Sequence, residues 1–128
     1  MKQGDAIPVL KVTPDADLTK RYAAASGDPN PIHTDEEFAR NVGLPGCILH
    51  GLYSMAQVAR ACTQAAGADP RSLRRLSVQF RGMGLPEEEI TVTGTVIEED
   101  DGRLVMEGEA EQGGRKIIKK ARAELERR

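Results

Sequence analysis

The chain has no tryptophan, two phenylalanines and two tyrosines, so aromatics make up 3% of its 128 residues. A core must then come from Val, Ile, Leu, Met and Ala, which bury less area per residue than aromatics do. That shortfall leaves room for an oligomer interface to add burial. The chain also lacks any apolar run near the roughly 20 residues of a membrane span. Its first residues, MKQGDAIPVLKV, hold no apolar stretch of signal-peptide length, and the chain is expected to be cytoplasmic. Charge of one sign is missing as well: 18 Lys and Arg stand against 20 Asp and Glu, for a net charge of −2. That balance gives no case for nucleic acid or for a membrane surface. Cysteine is scarce, with only Cys47 and Cys62. One disulfide is arithmetically available, but two buried thiols are the expectation in a cytoplasmic protein. No linker, repeat or low-complexity segment interrupts the chain, which reads as a single domain over residues 1–128.

What the chain does have is a stiff turn. Tyr22–His33 reads YAAASGDPNPIH. A helical run closes at Ser26-Gly27, and Asp28 and His33 then stand five residues apart across Asp28-Pro29-Asn30-Pro31. Each proline fixes φ near about −65° and removes a backbone donor. Each also pushes the residue before it, Asp28 or Asn30, toward extended backbone. The turn therefore holds an acid and an imidazole in a fixed relation, as two groups sharing one substrate proton require. Gly-Asp-Pro-Asn-Pro is also good turn chemistry by itself, with Asp and Asn bonding local backbone. The competing possibility is a plain turn followed by a surface histidine.

Ala6–Val12 reads as a short first strand, weakened by Pro8. A short helix follows from about Asp15 to Ala25, led in by Pro14. Thr34-Asp35-Glu36-Glu37 reads as a capping box, with Thr34 accepting from the Glu37 amide. Gly43 is placed to stop that helix in a left-handed conformation. His50–Ala66 reads as the main helix, with Leu52, Met55, Ala56, Ala59, Cys62, Thr63 and Ala66 on one stripe. Small residues there let a sheet pack close to the helix axis. From Leu73 onward the period is two. Apolar faces run through Leu76, Val78 and Phe80, then Ile90, Val92, Gly94 and Val96. They continue through Leu104, Met106, Gly108 and Ala110, then Ile117, Ala121, Ala123 and Leu125. These are four antiparallel strands. Asp100-Asp101-Gly102 and Gly113-Gly114 are hairpin turns, while Gly82–Glu89 is longer and holds Pro86. The expected order is a four-strand meander, and the fold class is α+β with a helix on one sheet face.

Tyr22, Ser26-Gly27-Asp28-Pro29-Asn30-Pro31-Ile32-His33 and the later His50-Gly51 resemble the signature of the MaoC-like (R)-specific enoyl-CoA hydratases and dehydratases. That signature is an aromatic, a few small residues, S-G-D-x-N-P-aliphatic-H, and later H-G before a helix. The resemblance covers Lys20–Met55 in motif detail and the whole chain in length and element order. It implies a hot-dog fold, a curved antiparallel sheet wrapped around one long central helix. It also implies reversible syn addition of water to a trans-2-enoyl thioester, giving a (3R)-hydroxyacyl thioester. Asp28 and His33 would hold the water and remove its proton, a role that contributes about 10²–10⁴-fold. The Gly51 amide, at the start of the main helix, is the implied oxyanion donor. Asn30 is read as holding the turn. Tyr22 is read as packing, with its hydroxyl in reach of the motif loop. His50 is read as a structural hydrogen-bonding residue.

The resemblance implies no cofactor beyond the coenzyme A or acyl carrier protein that bears the substrate. No metal is expected, because Cys47-x-x-His50 is one paired spacing where tight zinc sites use two. Arg71, Arg74 and Arg75, with Lys116, Lys119, Lys120 and Arg122, can meet the acidic surface of either carrier. They read equally as solvated strand faces and a lysine-blunted edge. The implied assembly is a homodimer or a dimer of dimers. A heterodimer stays open, because the chain also resembles the catalytic subunit of heterodimeric (3R)-hydroxyacyl-ACP dehydratases of fatty-acid synthesis. Two rival functions are a hot-dog acyl-thioesterase using Asp28 as base and a non-catalytic thioester-binding subunit. Keeping both Asp28 and His33 speaks against each.

Overall fold

The computed structural model describes residues 1–127. Five strands form one antiparallel sheet: β1 Leu10–Val12, β2 Leu73–Phe80, β3 Ile90–Glu99, β4 Arg103–Gln112 and β5 Arg115–Glu126. Helices α1 Leu18–Ser26, α2 Glu36–Asn41 and α3 Gly51–Ala65 precede β2, with a short 3-10 helix at Pro70–Ser72. The long helix α3 packs against β2, β3, β4 and β5, so the α+β expectation holds.

The two glycine turns close the β3–β4 and β4–β5 hairpins as expected. The four-strand meander does not form. The spatial order is β1-β3-β4-β5-β2, with β2 paired to β5. Alternation shows which residues share a face but not which strand lies alongside. Gly82–Glu89 is too long for a tight hairpin, and it carries the chain from one sheet edge across to β3. The crossover is clasped by Gln112, a buried residue at the end of β4. Its side chain accepts from Leu85 N and donates to the carbonyls of Leu85 and Glu88, at 2.8, 2.8 and 3.0 Å.

The first strand is also shorter than expected. Ile7 N donates to Gly94 O and Ala6 bridges Thr95, but Pro8 has no amide to continue the ladder. Register shifts interrupt β2, β3, β4 and β5. Such bulges bend a strand and raise its twist. Gly94 and Gly108 face each other where β3 and β4 bend, and a Cβ on Gly108 would lie 2.4 Å from Thr93 O.

The core is aliphatic, with Ile90, Val92, Met106, Ile118 and Leu125 among its buried members. None of the four aromatic residues is buried, and Tyr53 packs at the margin. Of the stripe expected on α3, only Cys62 is buried, and Leu52 is 63% exposed. The face turned to the sheet is Ser54, Gln57, Val58, Ala61 and Cys62. Two polar members hide that face from a hydrophobicity pattern, although its small residues still allow close approach. Cys47 and Cys62 are buried and free. Among the described residues no helix is long and apolar enough to cross a membrane.

The start of α2 differs from the capping box by one residue. Asp35 is the cap, and its carboxylate accepts from Phe38 N at 3.0 Å. Thr34 N instead donates to Pro31 O at 3.2 Å, so Thr34 belongs to the turn that follows the motif. Gly43 adopts φ +93°, the left-handed conformation expected of it.

Candidate active site

The alanine-rich α1 ends at Gly27, whose left-handed φ of 72° turns the chain into the motif. Two side-chain bonds then shape the loop. Asp28 Oδ1 accepts from Asn30 N at 3.3 Å, and Asn30 Oδ1 accepts from Ile32 N at 3.2 Å. These are successive Asx turns, placed where Pro29 and Pro31 have no amides to compete. Asn30 thus lies where it holds the turn, and its backbone carbonyl accepts from His33 N at 3.0 Å.

His33 is 7% exposed, and its Nδ1–H donates to the carbonyl of Ile48 at 2.7 Å. A carbonyl can only accept, so Nδ1 carries the hydrogen and the neutral ring keeps its lone pair on Nε2. Ile48 N donates back to Ile32 O at 3.1 Å, and Leu49 N donates to Gly84 O at 2.8 Å. The segment Ile48–His50 is therefore stitched to the motif on one side and to the crossover loop on the other. It delivers the first turn of α3 to the motif.

A cavity of about 210 Å³ opens there, lined by His33, Ile48, Leu49, Gly51, Ser54, Phe80, Gly82, Met83, Gly84 and Ile117. Gly51 is the first residue of α3, where backbone amides lack intrahelical partners and the helix end is positive. Larger grooves lie over Arg75 and Arg122, and across β3, β4 and the segment before β1 that holds Ala6, Ile7 and Val9. Neither contains a residue of the motif, so size alone does not select the site.

Asp28, His33 and His50 come together, with one donor atom of each within 4.8 Å of the others. The Asp28 side chain is 52% exposed, and its Oδ2 lies 3.9 Å from His50 Nε2. The rings of His33 and His50 stack with centroids 3.7 Å apart at 20°. Tyr22 packs on the other ring neighbour, His50, at 4.6 Å, and meets Tyr53 edge-on at 6.0 Å. His50 is 4% exposed, and neither ring nitrogen has a hydrogen-bond partner among the described residues. Burial holds His50 below the usual imidazole range and the neighbouring His33 pushes the same way, while the Asp28 backbone and then its carboxylate oppose both.

Three donor groups this close invite a metal ion, but the arrangement does not fit one. Stacked rings keep their lone pairs in nearly parallel planes 3.7 Å apart, whereas zinc needs to lie close to both planes at about 2.0–2.1 Å from each nitrogen. Cys47 is not a member of the group. Most of the basic residues singled out in the sequence are engaged on the surface. Arg71 pairs with Asp69, Arg74 with Glu126, Lys116 with Glu109 and Glu111, and Arg122 with Glu124. The Ile48 carbonyl, Phe80 and Gly84 were not legible as site components. A backbone carbonyl leaves no sequence signal, and the other two reach the site only through the crossover topology.

Residues 3–116 match the family described as MaoC like domain. The chain belongs to the MaoC-like family. The fatty acid synthase subunit beta of Aspergillus oryzae is 40% identical over 110 residues, which are 84% of this chain and 5% of that protein. The enoyl-CoA hydratase ChsH3 of Mycobacterium tuberculosis is 36% identical over 80 residues, or 62% of this chain and 27% of that one. The chain thus spans a small part of the curated relatives it matches. The (R)-hydratase of A. caviae involved in PHA biosynthesis superposes with a TM-score of 0.80 at 20% identity, covering 98% of this chain and 96% of that one. The shared architecture is the hot-dog fold, as expected, and the MaoC-like family is one of hydratases and dehydratases.

Proposed function

We propose that the protein is an (R)-specific enoyl-thioester hydratase, equivalently a (3R)-hydroxyacyl-thioester dehydratase. One observation carries this conclusion. The buried His33, with its lone pair on Nε2, lines a cavity whose wall includes the start of α3, and a donor atom of Asp28 lies within 4.8 Å of one on His33.

In hydration, a water between Asp28 and His33 gives up a proton to the pair as its oxygen bonds to Cβ. The electrons of the Cα–Cβ double bond move toward the thioester carbonyl. The resulting negative oxygen takes a hydrogen bond from the Gly51 amide, helped by the helix end, an effect worth about 10²–10³-fold. The proton then passes to Cα on the same face, so OH and H add syn. Dehydration runs the same steps backward. The chain's own groups supply each step, and the cofactor role is confined to the coenzyme A or carrier protein on the substrate. The likeness to an enoyl-CoA hydratase and to fatty acid synthase β subunits supports a fatty acyl thioester as substrate. A cavity of about 210 Å³ is small for a ligand pocket and favours short or medium acyl chains.

The test is loss of enoyl absorbance with crotonyl-CoA for wild type, Asp28→Asn and His33→Gln. Wild type should hydrate, and each variant should fall by about 10²–10⁴-fold with an unchanged circular dichroism spectrum. Activity that survives both substitutions overturns the site. Thiol release from a saturated acyl-CoA would favour the thioesterase instead.

A further inference from the structure

We propose that His50 is a positioning residue for Asp28, donating Nε2–H to Asp28 Oδ2 and so fixing the carboxylate against the reacting water. The role rests on the hydratase reading above and adds a third side chain to it.

The first observation is an imidazole that is 4% exposed with neither nitrogen in a formed hydrogen bond, although the Asp28 backbone lies near enough to act on it. Buried polar atoms in native proteins are almost always hydrogen-bonded, and an exception needs a reason. Packing is not that reason. A phenylalanine would stack on His33 and Tyr22 as well and would carry no unpaired nitrogen.

The second observation is where Asp28 points. Its Oδ1 is tied to the Asn30 amide at 3.3 Å, and that anchor turns Oδ2 toward His50 Nε2 at 3.9 Å. A hydrogen bond needs about 1 Å less. The Asp28 side chain is half-exposed and free to close that gap by a small rotation about Cα–Cβ.

The third observation is the stack. Two imidazolium cations cannot sit 3.7 Å apart in a buried place, and His50 is the more deeply buried ring of the two, so it is the one that stays neutral with one N–H to give. The titratable groups that face it are Asp28 and His33 from the motif loop and Tyr22 from α1, with Tyr53 of α3 behind Tyr22. Of these, only the Asp28 carboxylate gains from receiving that hydrogen while acting as a base. His33 already has its Nδ1–H committed to Ile48 O.

The experiment compares His50→Phe, which keeps the stack without a donor, with His50→Gln, which keeps an N–H. His50→Leu serves as a second donorless variant. The assay reads kcat, KM and the pH profile of kcat on crotonyl-CoA, with circular dichroism as the fold control. A donor to a carboxylate favours its ionised form, so removing it raises the pH at which Asp28 becomes a base. The Phe and Leu variants should lose about 10–100-fold in kcat, the worth of one hydrogen bond to a charged group, with KM little changed. Their acid limb should move up by about one pH unit. The Gln variant should recover most of kcat and return the limb.

A donorless variant with wild-type kcat and limb overturns the proposal. So does an equal fall in Gln and Phe with the limb unmoved, which marks a purely steric role. Failure of the hydratase reading looks different, because wild type itself is then inactive on enoyl thioesters. In that case a ¹³C titration of the Asp28 carboxyl decides the matter. A carboxyl that titrates lower in wild type than in His50→Phe supports the bond, and equal values overturn it.

Discussion

Substituting Gly51 by Ala separates the catalytic use proposed for this position from its structural use. Gly51 has helical backbone as the first residue of α3, so alanine fits its conformation. Replacing glycine with alanine in such a place gains about 0.5–1 kcal/mol. Against this, the new methyl would sit 3.1 Å from Phe80 Cε1 and 3.4 Å from Cδ1. That is a few tenths of an ångström inside the carbon–carbon optimum of about 3.5–4.0 Å. Phe80 is 52% exposed, so its ring can swing outward at little cost. The two effects offset each other, and the net change stays within about 1 kcal/mol, a few degrees in Tm.

The effect on catalysis is of another size. The methyl would project toward Phe80, which lines the cavity with Gly51, beside the amide proposed to receive the oxyanion. A thioester oxygen held away from that donor forfeits about 2.7–4 kcal/mol of transition-state stabilisation, or about 10²–10³-fold in kcat. Melting by circular dichroism and turnover of crotonyl-CoA on one preparation read both quantities. The double variant Gly51→Ala with Phe80→Leu removes the crowding while keeping the methyl, and kcat should stay low. Near-wild-type kcat in Gly51→Ala refutes the oxyanion role. Full recovery in the double variant shows that the displaced ring, and not the lost donor, caused the defect.

Gln112→Leu should cost about 3 kcal/mol, because three backbone partners at Leu85 and Glu88 lose their bonds at once. A fall of about 10 °C in Tm is expected, and an unchanged Tm would show the crossover to be held by other contacts. Cys62 is raised by burial from 9.0 to about 11, so its native thiol should resist thiol reagents at pH 8 until the protein unfolds. Its linkage acts at alkaline pH. The unfolded thiol ionises near pH 9 while the native one stays protonated, so stability is complete below pH 9 and falls as pH rises toward 11. The total is about 3 kcal/mol at 1.36 kcal/mol per unit. Denaturant titrations of wild type and Cys62→Ala between pH 8 and 11 check it, and parallel curves would refute it.

The motif was legible because local chemistry controls it. Pro29, Pro31, Asp28 and Asn30 dictate their own backbone through ring constraints and Asx turns, and nothing distant is needed to place them. The hairpins at Gly102 and Gly113-Gly114 were legible for the same reason. The buried face of α3 was not. The segment entering it is pinned by Ile48 and Leu49 before the helix begins, and that entry sets the helix rotation. A pattern that weighs only hydrophobicity passes over Ser54 and Gln57, which the rotation turns inward.

The strand order matters most for the site. In a meander, β2 would pair with β3, and Phe80 at its end would lie away from β5. Because β2 pairs with β5 instead, with Phe80 opposite Ile118, Phe80 joins Ile117 of β5 and Gly51 of α3 in one cavity wall. Gly82 and Gly84, in the first turn of the crossover, then line the same cavity as Gly51. The crossover is thus the wall of the site as well as a connection. A Cβ on Gly84 would lie 3.0 Å from Leu49 Cδ1, and Leu49 N donates to Gly84 O, so the wall packs directly on the entering chain. Whatever loosens the clasp at Gln112 should therefore reach the cavity through Gly84 and Leu49. The motif loop, held by its own Asx turns and by Ile48, should keep its shape.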